Sequence, residues 1–200
     1  DRGVSLSVLL RPQLPPEALL GATGMAAVAV CRAVERVSQA EVGIKWTNDL
    51  VLNGKKLCGI LTEMALEGET GTVQSLVIGA GVNVRHTPED FGPEVAQVAT
   101  SLAQEGYAVP RAALAAAMIE ELYRLSESLG GDVSGWVEEY RRRCVTLGRP
   151  VQLLWTQGRE RAQALDIDSQ FGLVVRRSDG SVTTVRTGEV SVRGLYGYTE

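Results

Sequence analysis

Asn53-Gly54 stands between two short apolar segments, and this dipeptide is a strong local signal for a two-residue β-hairpin turn. A second turn signal, the glycine-bounded segment 68–71, follows in the same region. Tight turns reverse the chain, so the segments that flank them pair as antiparallel strands. The sequence therefore predicts short strands across 42–84, with 57–66 and 73–84 as antiparallel neighbours.

The segment before this region predicts one strand and one helix. Residues 4–10 alternate apolar with small polar side chains and end at Arg11-Pro12, as a strand does. Pro15-Pro16 then opens a helical pattern that keeps an apolar face for about six turns, with Gly21 and Gly24 as its weak points. We expect this helix to pack closely, because many of its residues are alanine.

After Pro93 the apolar spacing becomes helical, and Pro110 is well placed at a helix start. The predicted helices cover 95–104, 111–129 and 133–144. The composition changes again at 148–150.

Beyond that point, strand-like segments alternate with turns that contain glycine. About fifty residues of meandering strands predict a small barrel. The chain is therefore expected to divide into domains of 1–147 and 148–200. The strands predicted in the second domain are 151–155, 161–167, 173–176 and 182–186.

Composition excludes several classes of protein. With 44% hydrophobic residues and a formal net charge of -4, the chain can bury a core but has no overall basic field for nucleic acid or an anionic membrane. Its longest apolar stretches are interrupted by glycine or charge before the roughly 20 residues that a spanning helix needs, and no leader pattern opens the chain. We expect a cytoplasmic protein without a membrane span.

The cysteines and the histidine further limit the kinds of metal site and catalytic site that the chain can form. Cys31, Cys58 and Cys144 are widely spaced and form no CxxC pattern, so they predict neither a disulfide framework nor a zinc site. His86 is the only histidine, which excludes multi-histidine metal sites and makes Ser-His-Asp or Cys-His catalysis hard to assemble. Any chemistry is left to Lys, Asp, Asn and backbone groups.

The stretch KWTNDLVLNGKKLCGILTE, from Lys45 to Glu63, carries two lysine-bearing segments on either side of the hairpin turn. The hairpin brings Lys45 and Asn48-Asp49 towards Lys56 and Gly59. A glycine inside a strand leaves room for a ligand or another backbone to approach. IGAGVN, residues 78–83, adds small residues on the adjacent strand, so the two strands together predict a slot.

Taken singly, these features have ordinary explanations. Lone lysines at strand ends are usually solvated charges, and Asn48-Asp49 alone is usually a turn. The Gly-Ala-Gly segment 79–81 is not a dinucleotide fingerprint, because no GxGxxG pattern or helix follows it. Only their joint occurrence in this order is informative.

That order, KWxND, a hairpin, KLxGILxE and IGxGxN, resembles the biotin protein ligase family. LSVLLRP near the start, RRRCVTLGRPV and the terminal GEVSVRGLYGY extend the resemblance over nearly the whole chain. The resemblance implies an α+β fold with a mixed sheet and helices packed on one side, related to class II aminoacyl-tRNA synthetases and followed by a small SH3-like β-barrel. It also implies an ATP-dependent ligase that forms biotinyl-5'-AMP and transfers biotin to a lysine of a biotin carboxyl carrier domain, such as that of acetyl-CoA carboxylase.

The same resemblance assigns roles to particular residues. Lys56 would contact biotin and the acyl-adenylate and, with Asp49, carry the catalysis. Asn48 and Asp49 would lie near the ATP phosphates, Mg²⁺ and the acceptor lysine, with Asp49 as the metal ligand. Lys45 and Asn83 would contact the nucleotide. The biotin slot would be lined by Lys56, Gly59, Ile60, Leu61, Gly79, Ala80 and Gly81.

Departures from the family pattern leave alternatives open. The family's glycine- and arginine-rich GRGR-like loop and its TS/TN segment have no counterpart after Asp1, so we expect that half of the site upstream or lost. Thr47 replaces the family's proline and is expected to loosen the turn slightly. No winged-helix module occurs, so DNA binding is not predicted, and a homodimer is left open. A biotin or adenylate binder without catalysis and a lipoate-type ligase remain rival functions.

Overall fold

The computed structural model describes residues 2–155, 158–186 and 191–194, with the backbone alone for Trp155 and 191–194. Two five-stranded sheets and three α-helices make up these residues. The first sheet has the order β1-β5-β4-β3-β2 and consists of β1 (Gly3–Leu10), β2 (Gly43–Lys45), β3 (Asp49–Leu52), β4 (Lys55–Leu66) and β5 (Val73–Asn83). The helices are α1 (Ala22–Ser38), α2 (Arg111–Ser128) and α3 (Ser134–Arg143).

The predicted hairpins are confirmed. Asn53 and Gly54 have φ values of 49° and 77°, the two positive values that a tight I′ turn needs, and they join β3 to β4. Gly71, at φ 68°, lies in the turn between β4 and β5, which pair as expected. The prediction of a mixed sheet is corrected, because every pairing between the named strands is antiparallel. Within the described residues, parallel pairing is limited to the isolated bridges Ile44–Cys144 and Lys56–Ala99.

Two of the four predicted helices form as expected, namely α2 and α3. The first is interrupted, because a short 3₁₀ helix at Pro16–Leu19 precedes α1 and Gly21 caps the start of α1. The prediction of a helix over 95–104 is wrong. Only a 3₁₀ turn forms at Val95–Gln97, and the backbone that follows pairs with β4 instead of coiling.

Helix α1 is the core helix. Residues 25–31 are at most 1% exposed, and α2 and α3 both pack against α1. Thr23 of α1 hydrogen-bonds to Thr62 of β4, so this face of the first sheet is covered by the helix. By length and composition Pro16–Ser38 is long and apolar enough to cross a membrane, which corrects the expectation that no such stretch exists; 67% of its apolar window is buried, as in a core helix.

The second sheet consists of β6 (Pro150–Trp155), β7 (Gly158–Ile167), β8 (Leu173–Arg177), β9 (Val182–Val185) and β10 (Ser191–Gly194). Its order is β10-β6-β7-β8-β9, and all its pairings are antiparallel. Strands β6 to β9 confirm the four strand predictions, whereas β10 was not predicted. Residues 187–190 and 195–200, and with them most of the terminal GEVSVRGLYGY, lie outside the described residues. The SH3-like closure of a barrel and the boundary at 147/148 therefore stay predictions.

Candidate active site

One row of residues crosses all five strands of the first sheet on the face opposite α1, here called the open face. Register pairing joins Ser5 to Gly81, Gly81 to Gly59, Gly59 to Asp49, and Asp49 to Lys45. Side chains alternate between the two faces of a sheet, so residues in one such row share a face. The row therefore places two glycines between a hydroxyl on one side and a carboxylate and an ammonium on the other.

A second row on the open face contains Ser7, Gly79 and Leu61. A Cβ atom at Gly79 would lie 3.7 Å from Ser7 Oγ and 3.8 Å from the carbonyl oxygen of Leu61, in ordinary contact. Leu61 itself is 60% exposed. The three glycines at 59, 79 and 81 thus form a shallow slot, and the prediction that they lie together on adjacent strands is confirmed.

Ser5 and Ser7 flank this slot, although they were not among the predicted site residues. The alternation of apolar and small polar side chains in β1 was the available signal, because it places these serines on one face. Ile60 and Ala80 have the opposite orientation. Their side chains are only 2% and 4% exposed and lie in the core, so either residue can reach a ligand in the slot only through its backbone.

Lys56 and Asp49 form an ion pair above Gly59. Lys56 Nζ lies 2.6 Å from Asp49 Oδ1, and the two side chains are 38% and 19% exposed. A Cβ atom at Gly59 would lie 3.4 Å from Lys56 Nζ and 3.8 Å from Asp49 Oδ1. The missing side chain at this position therefore gives the ammonium and the carboxylate access to the edge of the slot.

The backbone of Lys56 is anchored by a segment distant from it in sequence. Its N–H donates to the carbonyl of Val98 at 2.7 Å, and its carbonyl accepts from the N–H of Thr100 at 2.9 Å. Asn83 Nδ2 donates to the carbonyl of Thr100 at 3.0 Å, and Asn83 is the register partner of Gly3 on the open face. The structure thus brings Asn83 to the same end of the slot as Lys56.

The turn between β2 and β3 holds the other predicted polar residues. Asn48 Nδ2 donates to the carbonyl of Ile60 at 2.6 Å, while the N–H of Ile60 donates to the carbonyl of Asn48 at 3.0 Å. Thr47 is 8% exposed, and its carbonyl accepts a hydrogen bond from the Tyr140 hydroxyl at 2.9 Å. These contacts limit the loosening expected from Thr47. The peptide bond between Trp46 and Thr47 is cis.

The donor set suits a metal that arrives with a substrate and does not suit a resident metal. Among residues 2–155, 158–186 and 191–194, no three or more His, Cys, Asp or Glu side chains are grouped to hold an ion. Asp49 is the carboxylate at the slot. Mg²⁺ is often held by one or two carboxylates together with phosphate oxygens and water, so one Asp fits a Mg²⁺ bound mainly to a nucleotide.

Cys58 follows Leu57 in β4 but takes no part in the slot. Its side chain is 1% exposed, and burial raises the pKa of its thiol to about 12. A thiol with this pKa stays protonated at neutral pH and is a poor nucleophile. Chemistry at the open face therefore falls to the ammonium, the carboxylate, hydroxyls and backbone groups.

This chain is similar to known proteins that are ligases. A family model described as the Biotin/lipoate A/B protein ligase family matches residues 1–83. The bifunctional ligase/repressor BirA of Bacillus subtilis is 45% identical over 102 residues, which are 51% of this chain and 31% of the relative. The biotin--[acetyl-CoA-carboxylase] ligase of Mycobacterium tuberculosis is 32% identical over 171 residues, 84% of this chain and 60% of the relative.

Among solved structures, the biotin protein ligase from Aquifex aeolicus in complex with biotin and ATP has the same fold, with a TM-score of 0.80 at 22% identity. The match covers 97% of this chain and 79% of that one. The chain spans about a third to three fifths of the length of the two curated relatives described above.

Proposed function

We propose that this chain belongs to the biotin protein ligase family, and that it activates biotin with ATP and transfers the biotinyl group to a lysine of a carrier protein. The relative from Mycobacterium tuberculosis is named for biotin and acetyl-CoA carboxylase. The carrier that we propose is accordingly a biotin carboxyl carrier protein or domain, in the cytoplasm.

The observation that carries the proposal is the Lys56–Asp49 pair at the edge of a slot floored by glycine. Biotin is an apolar ring system with a carboxylate tail, so its site must combine a surface without bulk and a cation. Gly59, Gly79 and Gly81 supply the surface, and Lys56 supplies the cation. Ile60 and Ala80 would contribute backbone groups, while Leu61 would add apolar contact.

In the first step, a carboxylate oxygen of biotin attacks the α-phosphorus of ATP. A P–O bond forms to give biotinyl-5'-AMP, and the bond to the departing pyrophosphate breaks. Two anions must approach each other, so a fixed cation at the point of contact lowers the barrier. Lys56 takes this role, and Asp49, 2.6 Å from its ammonium, orients it.

Nucleotide contacts are assigned to Lys45, at one end of the row, and to Asn83, on the same face of β5. Lys45 lies beside Asp49 in the register, and Asn83 lies near the backbone of Lys56 through Thr100. With ATP bound, Mg²⁺ would neutralise phosphate charge, and Asp49 is the residue that would hold it, with Asn48 beside it to orient water.

In the second step, the lysine amine of the carrier loses a proton and attacks the acyl carbon of the mixed anhydride. An amide bond forms, and AMP leaves with the electron pair of the broken C–O bond. An amine is protonated at neutral pH, so a carboxylate that accepts its proton accelerates the attack. Asp49 lies at the edge of the slot where the acyl carbon would be, and we assign it this role.

The experiment is an assay of the intact protein with MgATP, a carrier domain and either biotin or lipoate. We expect biotin-dependent release of pyrophosphate and a carrier whose mass increases by one biotinyl group. Release with lipoate alone would favour a lipoate-type ligase. Calorimetric binding of biotin without pyrophosphate release would identify a binder without catalysis, and either result would overturn the proposal.

A further inference from the structure

The ring of Phe171, in the loop between β7 and β8, is wedged against the start of α1. A Cβ atom at Gly24 would lie only 2.2 Å from Phe171 Cδ1, and one at Gly21 would lie 2.8 Å from Phe171 Cε2. Real Cβ atoms do not approach neighbouring atoms so closely, so glycine is required at both positions while the ring is there. The two glycines that the sequence presents as weak points of the helix therefore make room for the ring of Phe171, from the loop between β7 and β8.

Phe171 also contacts the turn that leads to Asp49. Its carbonyl accepts a hydrogen bond from Trp46 Nε1 at 2.9 Å, a contact between residues 125 positions apart. Its ring packs edge-on against Tyr140, with centroids 5.4 Å apart, and the Tyr140 hydroxyl donates to the Thr47 carbonyl at 2.9 Å. Phe171 thus reaches two residues of the turn, Trp46 directly and Thr47 through Tyr140.

The loop that carries Phe171 is itself fixed. Asp168 Oδ1 accepts hydrogen bonds from the N–H groups of Gln170 and Gly172, both at 2.8 Å, and Arg186 Nη2 donates to Asp168 Oδ2 at 2.9 Å. Phe171 has a φ of 61° and is 4% exposed. A buried aromatic residue held in this left-handed conformation depends on its surroundings to keep it there.

We infer that Phe171 is a positioning residue for the Lys45–Asp49 turn, through which the C-terminal sheet sets the geometry of the carboxylate side of the site. The inference rests on the proposed function for its consequence in catalysis. The glycine slot lies on β4 and β5, which are held by their own ladder. Displacing the turn should therefore impair the use of ATP and the transfer step, and leave the binding of biotin in the slot nearly unchanged.

The experiment compares Phe171→Ala and Tyr140→Phe with two controls in the intact protein. Tyr140→Phe removes only the hydroxyl that holds Thr47. Tyr123→Phe is its matched control, because Tyr123 is 63% exposed on α2. Trp136→Phe is a control for lost packing, because Trp136 is 8% exposed and its ring stacks under Arg32.

Rates are corrected for the folded fraction, and biotin affinity is measured by calorimetry. For both test variants we expect kcat/KM for ATP to fall about tenfold to a hundredfold, as for a small misplacement of reacting groups, with biotin Kd within about twofold. The two controls should change neither quantity. Equal losses of biotin affinity and of kcat/KM for ATP, or losses explained by the unfolded fraction, would overturn the inference.

A second readout is independent of catalysis. Amide hydrogen exchange of segment 45–50 should accelerate in Phe171→Ala and Tyr140→Phe but not in Trp136→Phe, because only the first two release the turn. If the wild type releases no pyrophosphate, the proposed function fails while this readout still tests the positioning. Unchanged exchange of the segment in both test variants would refute it.

Discussion

Lys56 reaches Asp49 because β4 contains a β-bulge. Leu50 pairs with Cys58 and Val51 with Lys56, so Leu57 is the extra residue on β4. In a regular strand, residues 56 and 59 would point to opposite faces. The bulge changes this alternation, so Lys56 shares the open face with Gly59 and its Nζ lies 2.6 Å from Asp49 Oδ1.

Lys56→Ala should slow adenylate formation by a factor of about 10²–10³, the usual effect of losing one preorganised electrostatic contact in a transition state. The measurement is biotin-dependent pyrophosphate release under saturating ATP. Lys55→Ala is the matched control, since Lys55 is the exposed neighbour on the same strand, and it should keep wild-type rates. A wild-type rate in Lys56→Ala would remove this lysine from the mechanism.

The hairpins could be predicted from the sequence because Asn53-Gly54 and the turn at 68–71 encode them locally. The bulge could not, because the backbone segment that bonds to Lys56 is distant from it in sequence. Lys56 N–H and C=O bond to Val98 and Thr100, in a segment whose spacing looked helical. The family resemblance predicted Lys56 as a site residue. Only the bulge explains how its side chain lies on the same face as Gly59, since in a regular strand the two residues would point to opposite faces.

Gly79→Val should abolish the stabilisation of the protein by biotin with little effect on folding. A Cβ at Gly79 meets its nearest neighbours at 3.7 and 3.8 Å, so the branched side chain projects into the slot instead of the core. A ligand that binds only the native state raises its stability by mass action, so thermal unfolding with and without biotin measures the loss.

Gly68→Val, in the open turn between β4 and β5, is the control for that substitution, because nothing lies within 4 Å of a Cβ there. Its biotin-induced shift should equal that of the wild type. If Gly79→Val retains the full shift, biotin binds elsewhere.

The long-range contacts of the site lie beyond sequence patterns. Gly21 and Gly24 look like defects in an amphipathic helix, since glycine costs up to about 1 kcal/mol there relative to alanine. Glycine is needed at both positions because the ring of Phe171, from the loop between β7 and β8 of the second sheet, occupies the space that a Cβ atom would fill. The strand register was also missing. With the register known, the alternation of side chains along β1, β4 and β5 places Ser5 and Ser7 on the face of the slot, and Ile60 and Ala80 on the opposite face.

Gly24→Ala should destabilise the protein by about 1–3 kcal/mol, in spite of alanine's better helix propensity, because its methyl group would lie 2.2 Å from Phe171 Cδ1. In a Phe171→Ala background the same change should be neutral or stabilising by up to ~1 kcal/mol. Urea unfolding of the four proteins gives the coupling energy.

Gly135→Ala in α3 is the control for that double-mutant cycle, since nothing lies within 4 Å of its Cβ position. It should behave alike in both backgrounds. Equal costs of Gly24→Ala with and without the ring would show that Phe171 does not occupy this space in solution.

Glu139 on α3 accepts hydrogen bonds from two arginines, Arg32 of α1 and Arg143 of α3. Its Oε1 accepts from Arg143 Nε at 2.9 Å and Nη2 at 2.8 Å, and its Oε2 accepts from Arg32 Nε at 3.0 Å. Burial alone would raise the pKa of Glu139, but the hydrogen bonds from Arg32 and Arg143 hold it below its ordinary value. A depressed pKa in the folded state means that the ionised form is the one that stabilises the fold.

The stabilisation by Glu139 should therefore be complete above about pH 4.3, the pKa of an unperturbed Glu, and be lost as the pH falls through its lower folded-state pKa. Glu139→Gln should cost about 1–3 kcal/mol at pH 7, because two arginines lose a charged acceptor. Glu138→Gln, at the exposed neighbouring position, should change stability by less than about 0.5 kcal/mol. Urea unfolding from pH 7 downward should show the difference between wild type and Glu139→Gln shrinking below about pH 4.3. A difference that is constant with pH would mean that the ionisation of Glu139 does not contribute to it, and the contacts with Arg32 and Arg143 would then stabilise the fold by packing and neutral hydrogen bonding and not by charge.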